Sequence, residues 1–263
     1  MLFDGILIAS DWDGTICTGG VVNPKTAASV RYFQEHGGLF TIASGRYPEH
    51  LDSFSEIIAP NTYQIALNGA VISDRKTGKI LFSGHCDDDV YDVLHDIVML
   101  KTKYDSVWLY PIGDTHATRY SAEYFIENFD KIRQIKTYKS ILTASSNEGC
   151  DEEAERVRQC VNLRGYYALR SFETSLELIS RKLSKGMAIK RLKAAVNARV
   201  SIAVGDYEND IPMFHDADLS YAVQNAIPSV RLSADVITAL PAADGAVSEV
   251  ISDIERRIRS GEI

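Results

Sequence analysis

The chain has 263 residues, a formal net charge of −8 and 45% apolar residues, which are ordinary values for a globular protein. Its length predicts one large domain or two smaller ones. The acidic balance argues against a protein that binds nucleic acid or an anionic membrane surface, although a local site can still accept a small anion.

The cysteines and the N-terminal sequence exclude further classes of protein. Cys17, Cys86, Cys150 and Cys160 form no CxxC pair, so neither a zinc framework nor a secreted disulfide scaffold is predicted. The N-terminal sequence MLFDGILIASDWDG has no basic segment and only a short apolar run, which predicts neither a signal peptide nor a membrane span. We therefore expect a cytoplasmic protein with no membrane partner, either a monomer or at most a weak dimer.

The first part of the chain alternates strands and helices. The predicted elements are a strand over 5–10, a helix over 24–36, a strand over 39–44, a helix over 48–58 and a strand over 64–67. The first strand reads GILIAS, a nearly continuous apolar run that is typical of a strand buried on both faces. Asn23 and Pro24 are typical of a helix start. This order of elements indicates a right-handed parallel α/β sheet.

The middle of the chain has a different pattern, with shorter strands that alternate apolar and polar residues. The predicted elements are helices over about 90–104 and 151–163 and strands over 106–112, 116–120, 134–143, 165–170 and 176–180. The three acids Asp87–Asp89 are interpreted as the capped start of the first of these helices. These features predict a separate α+β domain over residues 83–180.

The α/β pattern then resumes to the end of the chain. A helix is predicted over 185–198, followed by strands over 201–204, 219–223 and 236–237. The predicted fold class is therefore α/β, a Rossmann-like parallel sheet core with an inserted α+β cap domain. The core comprises residues 1–82 plus 181–263.

Three polar clusters follow predicted buried strands. They are Asp11 with Asp13, Ser44-Gly45-Arg46, and Asp206 with Asn209 and Asp210. Ligands bind outside the carboxyl ends of the strands in an open parallel sheet, so clusters far apart in sequence can converge there. Converging carboxylates repel one another unless a cation neutralises them. Oxygen ligands without His or Cys nearby favour Mg²⁺.

Each cluster taken singly has a structural explanation. Asp13-Gly14 can be a turn, SGR can cap a helix, and GDYEND can be a solvated acidic loop. An EF-hand is excluded, since Ile16 and Val22 occupy the positions that need Gly and Glu. The position of all three clusters after buried strands favours one shared site.

The motifs resemble those of the haloacid dehalogenase superfamily phosphatases, in particular the Cof-type branch with a class IIB cap. The motif DxDGT stands at 11–15, the Ser that ends the next strand is Ser44 in TIASGR, the Lys is Lys185 in SKGMAIKRL, and GDxxND stands at 205–210. NGA at 68–70, NAIPSVRLSADVIT at 225–238 and DGAV at 244–247 also match the family pattern. Trp12 departs from it, since the family often has a smaller apolar residue there.

The resemblance implies roles for residues of the first three motifs. Asp11 would be the nucleophile that forms an aspartyl phosphate, and Asp13 the general acid and base. Ser44 and Lys185 would bind the phosphoryl group.

The resemblance also implies a magnesium site. Asp11, the backbone carbonyl of Asp13, and Asp206 would hold Mg²⁺, with Asn209 and Asp210 supporting the bound waters or Lys185. Arg46 and Asn68 are candidate substrate contacts. Each also has a structural alternative: Arg46 can lie at a helix start, and Asn68 can form an Asn-Gly turn.

The predicted function is a Mg²⁺-dependent phosphatase of small phosphorylated metabolites, with sugar phosphates as the main class and the cap setting the substrate. Nothing in the cap sequence excludes a nucleotide or a cofactor phosphate. One alternative is a phosphomutase of the phosphomannomutase type, which returns the phosphoryl group to sugar. A non-enzymatic alternative is an Asp-phosphorylated regulatory domain of the receiver type, although such domains lack an insert of this size.

Overall fold

The computed structural model describes residues 1–54, 57–161 and 164–263. They divide into two compact units, Met1–Ser83 with Lys185–Ile263, and Gly84–Ser184. The boundaries drawn from the sequence fall after residues 82 and 180. None of the helices in this part of the chain has the length and apolarity needed to cross a bilayer.

The strands and helices are numbered in chain order. The strands are β1 Ile6–Ser10, β2 Cys17–Thr18, β3 Val21–Val22, β4 Leu39–Ile42, β5 Gln64–Ala66, β6 Val71–Ser73, β7 Ile80–Ser83, β8 Tyr104–Pro111, β9 Thr118–Ser121, β10 Thr137–Ala144, β11 Tyr166–Phe172, β12 Ser175–Ser180, β13 Val200–Gly205, β14 Leu219–Ala222 and β15 Val236–Ile237. The α-helices are α1 Pro24–Glu35, α2 Pro48–Phe54, α3 Val90–Met99, α4 Ala122–Glu127, α5 Phe129–Ile132, α6 Cys150–Val161, α7 Lys185–Ala195, α8 Ile211–Asp216, α9 Pro228–Arg231 and α10 Ala246–Ser260.

A five-stranded parallel sheet forms the centre of the larger unit, in the order β15-β14-β13-β1-β4. Strand β1 lies between β13 and β4, and its last residue, Ser10, aligns with Val204 on one side and Ile42 on the other. All residues of β1 are buried, as a strand covered on both faces requires. The predicted α/β class is confirmed, and the carboxyl ends of β1, β4 and β13 lie side by side.

The third predicted strand, β5, pairs antiparallel with β6. It also meets the chain after β4 in parallel, through the bridge between Ile65 and Ala43 and the hydrogen bond from the Ser44 amide to the Ile65 carbonyl at 2.9 Å. Leu67 and Asn68 adopt left-handed φ angles of 51° and 55°, and Gly69 follows at 101°. This tight reversal turns the chain back on β5, which a pattern of apolar residues does not reveal.

The predicted first residues of the helices agree with the structure better than the predicted last residues. Asn23 is the N-cap of α1, accepting a hydrogen bond from the Lys25 amide at 2.9 Å, as predicted. Helix α3 ends at Met99, short of the predicted position near 104, and Lys101 has a left-handed φ of 50° two residues later. The predicted helices over 48–58 and 151–163 are α2 and α6, and their predicted residues 55–56 and 162–163 lie outside the described residues.

The smaller unit is an antiparallel sheet packed on helices, in the strand order β11-β12-β10-β8-β9. Its core joins buried apolar residues of α3, α6, β8, β10 and β12, including Leu94, Val157, Leu109, Leu142 and Leu178. Helices α4 and α5 between β9 and β10 were not predicted.

The acidic run before α3 does not cap the helix as predicted. Asp89 occupies the N-cap position, but its side chain makes no capping hydrogen bond. Instead, its carboxylate accepts a hydrogen bond from the Tyr166 hydroxyl at 2.5 Å. Asp87 pairs with Lys182 at 2.9 Å, and Asp88 pairs with Lys136. Each carboxylate therefore ties a different part of the unit to the start of α3.

Helix α10 is anchored to the parallel sheet by Asp253. The Tyr221 hydroxyl on β14 and Nε of Arg257 each donate to Asp253 Oδ2 at 2.7 Å. Partial burial favours the protonated carboxyl, but the hydrogen bonds from Arg257, Tyr221 and Arg256 outweigh it and lower the pKa of Asp253 to about 2, from 3.8. Its charged form therefore stabilises the fold.

We expect Asp253→Asn to lower the free energy of unfolding by about 1–2 kcal/mol at neutral pH, because hydrogen bonds to a charged acceptor are lost. A carboxyl with a depressed folded-state pKa stabilises the protein above its ordinary pKa, and this stabilisation is lost as pH falls towards the folded value. The difference between wild type and variant should therefore shrink between pH 4 and pH 2, given pKa values of 3.8 and about 2. Urea unfolding at several pH values measures it.

Glu255→Gln on the same helix is the matched control, since Glu255 forms a surface pair with Arg259. Such i,i+4 pairs contribute about 0.3–0.5 kcal/mol. A difference between wild type and Asp253→Asn that stays constant down to pH 2 would contradict the role given to the Asp253 charge.

Candidate active site

The candidate site begins where β1 ends. The Asp11 amide donates to the carbonyl of Val204 at 2.9 Å, which extends the pairing of β1 and β13 by one residue. On the other side, the Ala43 amide donates to the Ser10 carbonyl at 2.9 Å. Because Asp206 directly follows β13, the two acidic segments emerge from neighbouring strands at the same edge of the sheet.

Lys185, the first residue of α7, lies at the centre of this edge with its side chain fully buried. Its Nζ contacts Asp11 Oδ1 at 2.6 Å and Asp210 Oδ1 at 2.7 Å. Burial by itself lowers the pKa of Lys185, but the two carboxylates outweigh burial and raise that pKa above its ordinary value. The ammonium therefore stays charged and links the end of β1 to the loop after β13.

Asp210 is fixed on its other oxygen by the backbone. Its Oδ2 accepts hydrogen bonds from the amides of Asp206 at 3.0 Å and Tyr207 at 3.2 Å. A Cβ on Gly205 would lie 2.4 Å from Cγ of Asp210, so a larger residue there would displace this carboxylate. Both oxygens of Asp210 are thus engaged in orienting Lys185 and the loop.

The loop after Asp11 folds tightly against Asp206. Gly14 has a φ of +79°, and a Cβ there would lie 2.2 Å from Asp206 Oδ2, so only glycine fits. The Thr15 hydroxyl donates to Asp206 Oδ1 at 2.7 Å, and Asn225 Nδ2 donates to the Gly14 carbonyl at 2.9 Å. These contacts hold Asp206 beside the motif that carries Asp11.

Ser44 and Asn68 meet through the reversal after β5. Ser44 is buried, and its carbonyl accepts from the Asn68 amide at 2.9 Å. The fully buried Asn68 accepts a hydrogen bond from Asn209 Nδ2 on its Oδ1 at 3.3 Å. The left-handed φ of Asn68 is a strained conformation of the kind that clusters at functional sites. Asn68 therefore connects the Ser44 loop to the loop that carries Asn209 and Asp210.

Asp13 and Arg46 lie on the exposed side of the site. Arg46 Nε donates to Asp13 Oδ2 and Arg46 Nη2 to Asp13 Oδ1, each at 2.8 Å. The side chains of Arg46 and Asp13 are 43% and 56% exposed. The hydrogen bond that Arg46 donates to Asp13 raises the pKa of Arg46. The sequence makes Arg46 a candidate for substrate contact or for a helix start, and its side chain contacts Asp13.

The buried acids form a cluster that fits a hard divalent cation. One oxygen from each of Asp11, Asp206 and Asp210 lies within 4.8 Å of the others. Burial raises the pKa of Asp11 well above 3.8 and, with repulsion from Asp210, raises the pKa of Asp206 to about 7. The single positive charge of Lys185 therefore does not neutralise the negative charge of the three carboxylates. An all-oxygen donor set with excess negative charge suits Mg²⁺.

The structure brings Asp11, Lys185, Asp206 and Asp210 together and connects Ser44, Asn68 and Asn209 through hydrogen bonds. Three supporting residues, Thr15, Tyr207 and Asn225, were not singled out from the sequence. Thr15 and Tyr207 lie inside the quoted motifs, and Asn225 opens the segment NAIPSV. Their positions in the motifs were the available signal, because their partners lie in distant segments.

Comparisons with known proteins identify the family of this chain. A family model described as haloacid dehalogenase-like hydrolase matches residues 8–251. A phosphoglycolate phosphatase of Sulfurisphaera tokodaii is 23% identical over 235 residues, covering 88% of this chain and 86% of the relative. The phosphatase YwpJ of Bacillus subtilis is 26% identical over 271 residues, covering 88% and 94%.

Solved structures share the fold. A haloacid dehalogenase-like hydrolase from B. subtilis superimposes with a TM-score of 0.74 at 22% identity, covering 94% of this chain and 98% of that one. The HAD subclass IIB sugar phosphatase BT4131 gives a TM-score of 0.72 at 15% identity, with coverage of 94% and 98%. Since the family model spans nearly the whole chain, including both segments that form the parallel sheet, this protein is an enzyme of the haloacid dehalogenase-like hydrolase family.

Proposed function

We propose that this enzyme is a Mg²⁺-dependent phosphatase that hydrolyses small phosphorylated metabolites, sugar phosphates foremost, through an aspartyl phosphate on Asp11. The observation that carries the proposal is the buried Lys185 ammonium, which contacts Asp11 Oδ1 at 2.6 Å and Asp210 Oδ1 at 2.7 Å. A positive charge fixed beside one oxygen of a carboxylate leaves the other oxygen as the attacking atom. It also neutralises charge that develops on a phosphoryl group.

In the first half-reaction, an oxygen of Asp11 attacks phosphorus and the bond to the leaving oxygen breaks. Asp13 gives its proton to that leaving oxygen, while the Ser44 hydroxyl and Lys185 bind the phosphoryl oxygens. In the second half-reaction, water attacks the aspartyl phosphate and Asp13 takes the proton from the water. The bond between phosphorus and Asp11 then breaks, which releases phosphate, restores the Asp11 carboxylate and leaves Asp13 protonated for the next cycle.

Magnesium would be held by the Asp11 carboxylate, the Asp13 backbone carbonyl and Asp206. When bound, it supplies positive charge that lets an anionic nucleophile meet an anionic phosphate ester. Asp210 orients Lys185 and the loop, as its hydrogen bonds indicate. Asn209 supports this arrangement through its hydrogen bond to Asn68.

The substrate class is the less constrained part of the proposal. The relatives from Sulfurisphaera tokodaii and Saccharolobus solfataricus are named phosphoglycolate phosphatases, so a short phosphorylated carboxylic acid belongs beside sugar phosphates in a substrate screen. We also propose that the smaller unit, Gly84–Ser184, determines which ester is accepted. A phosphomutase would leave phosphate on the sugar, so release of inorganic phosphate from sugar phosphates distinguishes the two activities.

We expect Asp11→Asn to lower phosphate release by roughly 10³-fold or more, because the amide does not form the acyl phosphate intermediate. The measurement is inorganic phosphate released from a panel of sugar phosphates and phosphoglycolate with Mg²⁺. Asp4→Asn is the control, since Asp4 is exposed before β1 and away from the acidic cluster. Unchanged hydrolysis by Asp11→Asn would refute the mechanism.

We expect Mg²⁺ to raise the thermal midpoint of the wild type, because a ligand that binds only the folded state stabilises it by about 2.7 kcal/mol at a hundred times its Kd. Removal of the metal with EDTA should reverse the rise. In Asp206→Asn the Mg²⁺-dependent rise should be lost, whereas Asp244→Asn, an exposed acid, should keep it. An equal rise in Asp206→Asn would contradict the assigned site.

A further inference from the structure

Arg46 forms a bidentate ion pair with Asp13. Its Nε and Nη2 meet the two carboxylate oxygens at 2.8 Å each. A guanidinium that engages both oxygens fixes the rotation of the carboxylate as well as its position, which a single donor does not do. The contact therefore sets the direction in which Asp13 presents its oxygens.

The backbone of Arg46 is itself held at a defined position. Its carbonyl accepts from the Leu67 amide at 2.9 Å, and its amide donates to Ser44 Oγ at 3.3 Å. Leu67 has a left-handed φ of 51°, which an L-residue rarely adopts unless its surroundings require it. The Arg46 side chain thus extends from a segment tied to the reversal after β5.

Asp13 needs such a contact more than Asp11 does. The Asp13 side chain is 56% exposed, whereas that of Asp11 is 10% exposed and pairs with the buried Lys185. An exposed ion pair adds little to folding stability. Its clearer consequence is orientation, because proton transfer requires the acid or base to be held within hydrogen-bond reach.

We propose that Arg46 is a positioning residue for Asp13: the guanidinium holds the Asp13 carboxyl group where it gives a proton to the leaving oxygen and then takes one from the attacking water. This assignment rests on the proposed phosphatase activity. It differs from the substrate contact predicted for Arg46 from the sequence, and the two roles give different kinetics.

Two substrates separate these roles. An aryl phosphate with an acidic phenol releases a stable phenolate, so its first half-reaction has little need of a proton from Asp13. An alkyl phosphate releases an alkoxide and needs that proton. Hydrolysis of the aspartyl phosphate is the same for both substrates and needs Asp13 as the base in each case.

For Arg46→Ala we expect kcat/KM for the alkyl phosphate to fall about tenfold or more, and kcat/KM for the aryl phosphate to stay within about threefold. The kcat for the aryl phosphate should fall, because hydrolysis of the aspartyl phosphate becomes limiting. Rapid mixing should then show a burst of phenolate close to the enzyme concentration. Arg46→Lys should recover part of the alkyl phosphate activity, since an ammonium can hold one oxygen.

Two further variants test whether Arg46 acts through Asp13. In an Asp13→Asn background, Arg46→Ala should cause no additional loss. Arg256→Ala is the matched control, because Arg256 also donates two hydrogen bonds to an aspartate, Asp253, at 3.0 and 2.8 Å, on the distant helix α10. It should keep wild-type kinetics, and circular dichroism should show that all variants are folded.

An equal loss of kcat/KM for both substrates would overturn the positioning role in favour of substrate contact. Unchanged kinetics in Arg46→Ala, or an additive loss in the double variant, would also overturn it. If the wild type hydrolyses neither the alkyl nor the aryl phosphate, the proposed phosphatase activity is refuted, and the role of Arg46 with it. If the wild type is active and only the Arg46 variants depart from expectation, the positioning role alone is refuted.

Discussion

A buried ammonium is the constraint on which the rest of the site depends. Lys185 has no exposed side-chain surface, and a charge in that position is costly unless carboxylates surround it. Its partners come from the end of β1 and from the loop after β13, while Lys185 itself begins α7. The three segments meet only if β1 and β13 lie side by side in parallel, so the sheet order and the ion pairs support each other.

The same constraint explains the glycines and the excess of negative charge. Gly205 and Gly14 leave room for the Asp210 and Asp206 carboxylates, which approach to 2.4 Å and 2.2 Å of where a Cβ would be. Packing these acids around one lysine raises the pKa of Asp206 to about 7 through burial first and then repulsion from Asp210. A divalent cation bound there would relieve the repulsion among these carboxylates, because it would add positive charge to that of Lys185.

The sequence predicts the sheet and the acidic edge because both depend on local patterns. A buried strand followed at once by acids needs no knowledge of distant segments, and the structure brings Asp11 and Asp206 together as expected. The contacts that orient them are less accessible, because the Thr15 hydroxyl and Asp206 are 191 residues apart, and Asn225 and Gly14 are 211 apart. The antiparallel pairing of β5 with β6 was not predicted, because the reversal between them places Leu67 in a left-handed conformation that its side chain does not signal, although Asn68-Gly69 was recognised as a possible turn.

Asp11 and Asp13 show how two carboxylates in one short motif acquire different environments. Trp12 between them is 1% exposed, so its ring anchors the chain in the core, with Asp11 beside Lys185 and Asp13 turned to the exposed side. A nucleophile benefits from a rigid, desolvated position, whereas a group that exchanges protons with both a departing alcohol and an incoming water must remain accessible. Accessibility removes the burial that would otherwise fix the side chain. A bidentate partner at the surface fixes the orientation of the carboxylate without burying it, and this is the arrangement that Arg46 and Asp13 adopt.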